Sequence, residues 1–333
     1  MHKTIVIALT LALAAALAGA QNPFIGIYEG VYNAHNRAGL EAAATVVAQG
    51  QGVYRVTAQY AAPGGQEVYQ VELHGPQMGP RISLYGFAGG AEWRGEVKDD
   101  HIRLEHLPGH YGGVFELDKT DEKPPTLAMA PPDGAVVLLA FEEGQTPSLD
   151  AWSNKEWKAL ESGAMEVKPG SGDQHSRQRF GDCTLHLEFW LPNMAGAMWQ
   201  SRANSGVYFM NRYEVQILDS FGLIQGSGDC GSIYELSLPR VNACLPPERW
   251  QTYDISFRAP RLGSDGEVKE PARVTVYQNG VLIQKDVAVE KATPGGKAGP
   301  QVERDVLRLQ DHGNMLRYRN IWLIEEAGRL PAK

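Results

Sequence analysis

The chain has 333 residues, enough for two hydrophobic cores, and a formal charge of −8. An acidic chain without a basic run speaks against nucleic acid as a partner. Glycine (37) and proline (20) are frequent between short alternating runs, which points to an all-β chain and away from helical bundles.

Residues 1–20 read as an export signal. Lys3 supplies the positive start, residues 5–17 form the apolar run, and Ala18-Gly19-Ala20 is a small-residue cleavage pattern ahead of Gln21. The run is short for a membrane span, which needs ~20 apolar residues, and no later stretch is long and apolar enough to make one. The expected location is the periplasm or outside the cell. Residues 21–118 read as a smaller β-rich domain. Residues 39–49 are alanine-rich and suit a short helix or a strand, and residues 51–118 read as a meander. Tyr54, Val56, Ala58 and Tyr60 alternate with polar neighbours, as do Tyr69, Val71 and Leu73, and Ile102 and Leu104 follow an Asp99-Asp100 turn. Period-two alternation puts one face on a core and the other in water. His106 and His110 are placed in a loop. Residues 119–134, with Pro124-Pro125 and Pro131-Pro132, read as a linker, because proline pairs favour extended chain and cannot join a central ladder.

Residues 135–328 alternate more cleanly and suit two antiparallel sheets packed face to face. Leu185, Leu187 and Phe189 face the core, while Thr184, His186, Glu188 and Trp190 face away. Asn279-Gly280 is a hairpin turn between two strands. Of the three cysteines, Cys230 and Cys244 flank one short loop and are the favoured disulfide pair in an oxidising compartment, with Cys183 a buried thiol. No Cys/His spacing suits a structural zinc site.

The chemistry-bearing residues gather in a few segments. On a strand through Tyr213-Glu214-Val215-Gln216-Ile217, Val215 and Ile217 make the core face, so Glu214 and Gln216 point off the core. A carboxylate beside an amide suits sugar hydroxyls and proton transfer. Asp219 lies five residues after Glu214 and needs one bulge to share its side. Asn204 precedes this strand, Tyr234 follows it, and Gln310-Asp311-His312-Gly313 with Arg317 form a later polar cluster.

Several longer motifs carry a resemblance. Asn204-Ser205-Gly206-Val207-Tyr208, Arg212-Tyr213-Glu214-Val215-Gln216-Ile217-Leu218-Asp219-Ser220, Trp250-Gln251-Thr252-Tyr253-Asp254-Ile255 and Leu307-Arg308-Leu309-Gln310-Asp311-His312-Gly313 resemble, in this order, the 3-keto-disaccharide hydrolase domain. The resemblance covers about residues 135–326. It implies a concanavalin-like jelly-roll sandwich and carbohydrate substrates already oxidised at C3. A C3 ketone acidifies the C2 proton; its removal gives an enolate that expels the glycosidic oxygen from C1, and water then adds. Such a site needs a base, a partner for the C3 oxygen and a proton donor. In that scheme Glu214 or His312 is the base. Arg317 or a bound cation meets the enolate oxygen, and Asp219 or Asp311 is the acid or a metal ligand. Asn204, Gln216 and Gln310 hold hydroxyls, and Tyr234 contacts the sugar. Carboxylates and amides suit a divalent cation such as calcium, though no spacing demands one. Retaining glycosidases of this fold carry a strand resembling E-x-D-x-x-E, where this chain has Glu214-x-Gln216-x-x-Asp219. Losing the middle acid turns the expectation from displacement towards keto-assisted elimination. The family's Phe-Asp-Gly turn is altered at Ala140-Phe141-Glu142. The alternative is a non-catalytic, lectin-like carbohydrate-binding protein, since fold alone does not set function.

Overall fold

Two-residue turns direct much of the chain. Gly89-Gly90, Asp99-Asp100 and Asn279-Gly280 each have positive φ at both positions. This is the type I′ geometry whose twist matches that of the flanking strands. A computed structural model describes residues 22–34, 37–61, 68–107 and 112–325. The export signal and His110 lie outside the described residues. Those residues are almost entirely β, with no α-helix, and divide into two compact units at Thr120/Asp121.

The first unit has eight strands: β1 (Gly26–Ala34), β2 (Arg37–Gly50), β3 (Val53–Ala61), β4 (Val68–Met78), β5 (Arg81–Ala88), β6 (Ala91–Lys98), β7 (His101–His106) and β8 (Gly113–Lys119). They pair in chain order, and β1 also pairs with β8, so the expected meander closes into an antiparallel barrel without sheet edges. The alanine-rich stretch is strand β2. Its small residues oppose large ones, Tyr28 facing Ala44 across β1 and β2, and both side chains are buried. His106 ends β7 and stacks on Trp93, with ring centroids 5.2 Å apart.

The second unit has strands β9 (Val136–Leu139), β10 (Lys158–Ala159), β11 (Met165–Glu166), β12 (Gln174–Phe180), β13 (Cys183–Trp190), β14 (Ser205–Phe209), β15 (Tyr213–Ile217), β16 (Trp250–Arg258), β17 (Arg261–Leu262), β18 (Val268–Glu270), β19 (Ala272–Gln278), β20 (Val281–Val289), β21 (Asp305–Leu309) and β22 (Arg317–Glu325). One sheet runs β10-β11-β22-β13-β16-β19-β20, with β9 paired to β22; the other runs β12-β21-β14-β15; β17 and β18 form a separate ribbon. The smaller sheet buries Val207, Phe209, Val215, Ile217, Leu307 and Leu309. Burying each such side chain is worth about 1.5–3 kcal/mol. Phe209 of β14 stacks on Phe257 of β16 at 4.6 Å, and Tyr253 Oη donates to the Gln216 carbonyl at 2.6 Å. These contacts fix the smaller sheet against the larger one and set the position of β15.

The face of β13 that points away from the core is covered. His186 and Glu188 are fully buried, and residues 121–134 belong to this unit and pack over them. His186 Nδ1 lies 2.7 Å from Asp254 Oδ1, and Thr126 Oγ1 donates to Asp254 Oδ2 at 2.7 Å. Glu188 accepts from the Ala128 N–H, Asn320 Nδ2 and Arg319 Nε at 2.6–2.9 Å. The Arg319 guanidinium sits over the Phe141 and Trp250 rings. Alternation shows that these residues leave the core; it does not show that the proline-rich segment returns to cover them.

Burial opposes a charged His186, but its hydrogen bonds to Asp254 and Glu188 prevail and raise its pKa above 6.5. Burial likewise opposes a charged Glu188, and His186, Asn320 and Arg319 hold it below 4.5. The His186 contribution is full below pH 6.5 and is lost as pH rises through its raised folded value; that of Glu188 is full above pH 4.5 and is lost as pH falls through its depressed value. Thermal melts of His186→Phe are therefore expected to lose part of the wild-type fall in Tm above pH 6.5. An unchanged pH slope would contradict this.

The expected Cys230–Cys244 bridge is not formed: all three cysteines are free and buried. The Cys230 and Cys244 thiols are neighbours, hydrogen-bonded to each other, with Cys230 Sγ also 3.2 Å from Tyr253 Oη and Cys244 Sγ 3.8 Å from the Leu218 carbonyl oxygen.

Candidate active site

Strands β14 and β15 form an unbroken hairpin in which Val207 opposes Val215, Tyr208 opposes Glu214 and Gly206 opposes Gln216. Period two sends Gly206, Tyr208, Glu214 and Gln216 to the face away from the core, and Arg308 of β21 and Gln310 just after it add to that side. Loops fold over this face, so Glu214 is only 2% exposed and Gln216 only 1%. What remains open is a cavity of about 150 Å³ lined by Gln200, Asn204, Tyr208, Glu214, Gln216, Tyr234, Pro294, Gly295, Gln310 and His312.

Of the residues singled out in the sequence, the structure brings Glu214, His312, Asn204, Gln216, Gln310 and Tyr234 to this one cavity. It does not bring Asp219, Asp311 or Arg317 there. The bulge expected after Glu214 is missing; β15 ends at Ile217, and Asp219 turns to Arg202, accepting from Nη2 at 2.8 Å. Asp311 accepts from the Gly172 and Gly313 N–H groups at 3.0 and 2.9 Å. Arg317 lies on the other sheet, donates to Glu166 at 2.9 Å and stacks on Trp190. The two carboxylates named as cation ligands thus have separate structural partners. Among the described residues no three His, Cys, Asp or Glu side chains gather as a metal site.

Glu214 is the only carboxylate among the described residues lining the cavity. Burial pushes its pKa up to about 7; a hydrogen bond with Tyr208 and the charge of Arg308 act against the rise, and Asp173 adds to it. A carboxyl so poised exchanges protons near neutral pH. The amides form a connected wall. Gln216 Nε2 donates to Gln200 Oε1 at 3.0 Å, and Asn204 Nδ2 donates to the same oxygen at 2.9 Å. Asn204 is 2% exposed, and its Oδ1 has no hydrogen-bond partner. An unsatisfied buried acceptor costs about 1–3 kcal/mol, which a ligand hydroxyl would relieve.

Sequence reading passed over Gln200 and Arg308. Arg308 was legible, since it alternates with Leu307 and Leu309 on the face of Gln310; Gln200 sits in a short 3-10 turn whose placement no periodicity encodes. Gly206 has a packing role: a Cβ there would overlap Glu214 Oε1. Gly206→Ala is expected to displace that carboxylate and cost about 10²-fold in turnover, as misplacement by ~1 Å can. Circular dichroism should remain near wild type; wild-type turnover would contradict a role for the Glu214 position.

Among curated proteins no match is found. Two solved structures from Parabacteroides distasonis ATCC 8503, each named as a candidate glycosyl hydrolase, are similar to this chain. The first is 34% identical with a TM-score of 0.52, covering 59% of this chain and 85% of its own. The second is 14% identical with a TM-score of 0.42, covering 59% and 95%. Residues 138–324, more than half of the chain and including every residue lining the cavity, match the 3-keto-alpha-glucoside-1,2-lyase-like domain, and the chain belongs to that family.

Proposed function

We propose that the second unit cleaves the glycosidic bond of 3-keto-glycosides or 3-keto-disaccharides by elimination across C1–C2, followed by hydration. The observation that carries this reading is a single buried carboxylate, poised near neutral pH, in a cavity with no second carboxylate among its described lining residues. Ordinary glycoside hydrolysis employs two carboxylates flanking the bond. Elimination beside a ketone needs one base, because the ketone supplies the acidity. The family's description as a 3-keto-alpha-glucoside-1,2-lyase-like domain supports this reading, and the name of the 34%-identical Parabacteroides structure supports a glycoside as substrate. The cavity is below the ~300–1,000 Å³ of drug-sized sites, which suits one sugar ring and not a chain of them.

In this reading the Glu214 carboxylate removes the C2 proton. The C3 oxygen, gaining charge, is met by His312 and the amide wall, and the unpartnered Asn204 Oδ1 accepts a ring hydroxyl. Collapse of the enolate breaks the C1–O bond and leaves a C1–C2 double bond; water then adds across it, its hydroxyl to C1 and a proton to C2. Export to the periplasm or the exterior, from the N-terminal signal, is part of the proposal. Purified protein is offered a 3-keto-glucoside and its unoxidised parent. Release of the aglycone from the ketone alone is expected; equal release from both would overturn the reading.

A further inference from the structure

Elimination also needs a proton for the departing oxygen, and neither carboxylate suggested by the sequence reaches the cavity. We infer that Tyr208 is the acid of this site: it gives its phenolic proton to the leaving glycosidic oxygen and recovers one from Glu214. The inference rests on the elimination reading above.

Three contacts carry it. Tyr208 opposes Glu214 across β14 and β15, and the phenol and carboxyl are hydrogen-bonded. Gln310 Nε2 donates to Tyr208 Oη at 3.2 Å, leaving the phenolic hydrogen for Glu214 or for a ligand. The Arg308 guanidinium lies over the Tyr208 ring, 3.6 Å from its centre, and is anchored by the Gly295 carbonyl at 2.8 Å. A cation on the ring face stabilises a transient phenolate. Tyr234 and His312 share the cavity but lack this combination: Tyr234 is half-buried, and His312 is exposed.

The charges change in the right order. At rest, burial first and then the neighbouring Glu214 carboxylate hold Tyr208 protonated, with Arg308 acting the other way. Once Glu214 takes the C2 proton, its negative charge is gone and the phenol becomes the stronger acid. The enolate re-forms the C3 ketone and a C1–C2 double bond as the C1–O bond breaks; the leaving oxygen takes the Tyr208 proton; Glu214 returns the C2 proton to the phenolate. Substrate becomes an enone plus an alcohol, and both side chains regain their starting states.

The test is a leaving-group series on Tyr208→Phe. With a methyl 3-keto-glucoside the variant should lose about 10² to 10⁴-fold in kcat/KM, the range for acid catalysis. With the 4-nitrophenyl compound, whose leaving group needs no proton, it should stay within a few-fold of wild type. Equal losses on both compounds would mark a structural role and overturn the inference, as would no loss on either. Tyr234→Phe and His312→Gln should show no such leaving-group dependence; its appearance there instead of in Tyr208→Phe would also overturn it. Loss of deuterium from C2 of a labelled substrate is followed in parallel. If wild type keeps the label and cleaves labelled and unlabelled substrate at the same rate, the elimination reading itself fails; if wild type loses it and Tyr208→Phe shows flat losses, only the Tyr208 assignment fails.

Discussion

Glu214→Gln is expected to lower kcat/KM on a 3-keto-glycoside by about 10² to 10⁴-fold, the usual worth of general base catalysis, while making the folded protein more stable at neutral and higher pH. The two effects share one cause. Burial holds Glu214 near 7 in the folded chain against 4.5 when unfolded. Between those values the folded state keeps a proton that the unfolded state has released, so stability falls as pH rises from 4.5 to about 7 and stays lower above it. The shift corresponds to roughly 3 kcal/mol. An amide cannot ionise and avoids this cost, while Tyr208 can still donate to its oxygen. Urea melts at pH 8 should therefore favour the variant, with the advantage fading towards pH 4.5. Wild-type activity should rise with pH through about 7, because the base acts only when deprotonated. A variant both active and unstable at pH 8 would contradict the assignment.

Arg202→Met is expected to cost about 3–5 kcal/mol, the usual effect of leaving one partner of a buried ion pair alone. Arg202 and Asp219 are both nearly inaccessible. Arg202 Nε donates to the Asp219 carbonyl and Nη2 to its carboxylate, each at 2.8 Å, and Asp219 N–H returns a bond to the Arg202 carbonyl at 3.1 Å. The pair ties the turn bearing Gln200 and Asn204 to the end of β15, and so holds one wall of the cavity. A fall in Tm of roughly 10 °C should follow for a unit of this size. Asp219→Asn preserves shape and supplies the control. It should lose stability while keeping turnover within a few-fold of wild type per folded molecule; a large loss of turnover with an unchanged Tm would return Asp219 to the chemistry.

The sheet that carries the cavity was legible from local pattern. Val215 and Ile217 alternate with Glu214 and Gln216, and in the larger sheet the Asn279-Gly280 turn announces the β19–β20 hairpin. Barrel closure was not legible, because it depends on β1 pairing with β8 about 90 residues away, a contact that no local window contains. Periodicity likewise says which way a side chain leaves the sheet and nothing about what covers it. Glu214 and His186 both leave the core, yet one lines a cavity and the other is sealed under residues 121–134. Asp219 was placed by assuming a bulge where the strand simply ends. Cys230 and Cys244, paired on their separation along the chain, do come together in the core, but as hydrogen-bonded thiols and not as a bridge.

The central claim is that the bond to be broken first is C2–H. A 3-keto-glucoside carrying deuterium at C2 tests it directly, with enzyme-free buffer as the reference for spontaneous exchange. Cleavage should be slower than for the unlabelled compound, and the deuterium should pass to water at the rate of turnover, with both effects lost in Glu214→Gln. Cleavage at an unchanged rate with the deuterium still on C2 would contradict elimination and return the site to direct displacement at C1.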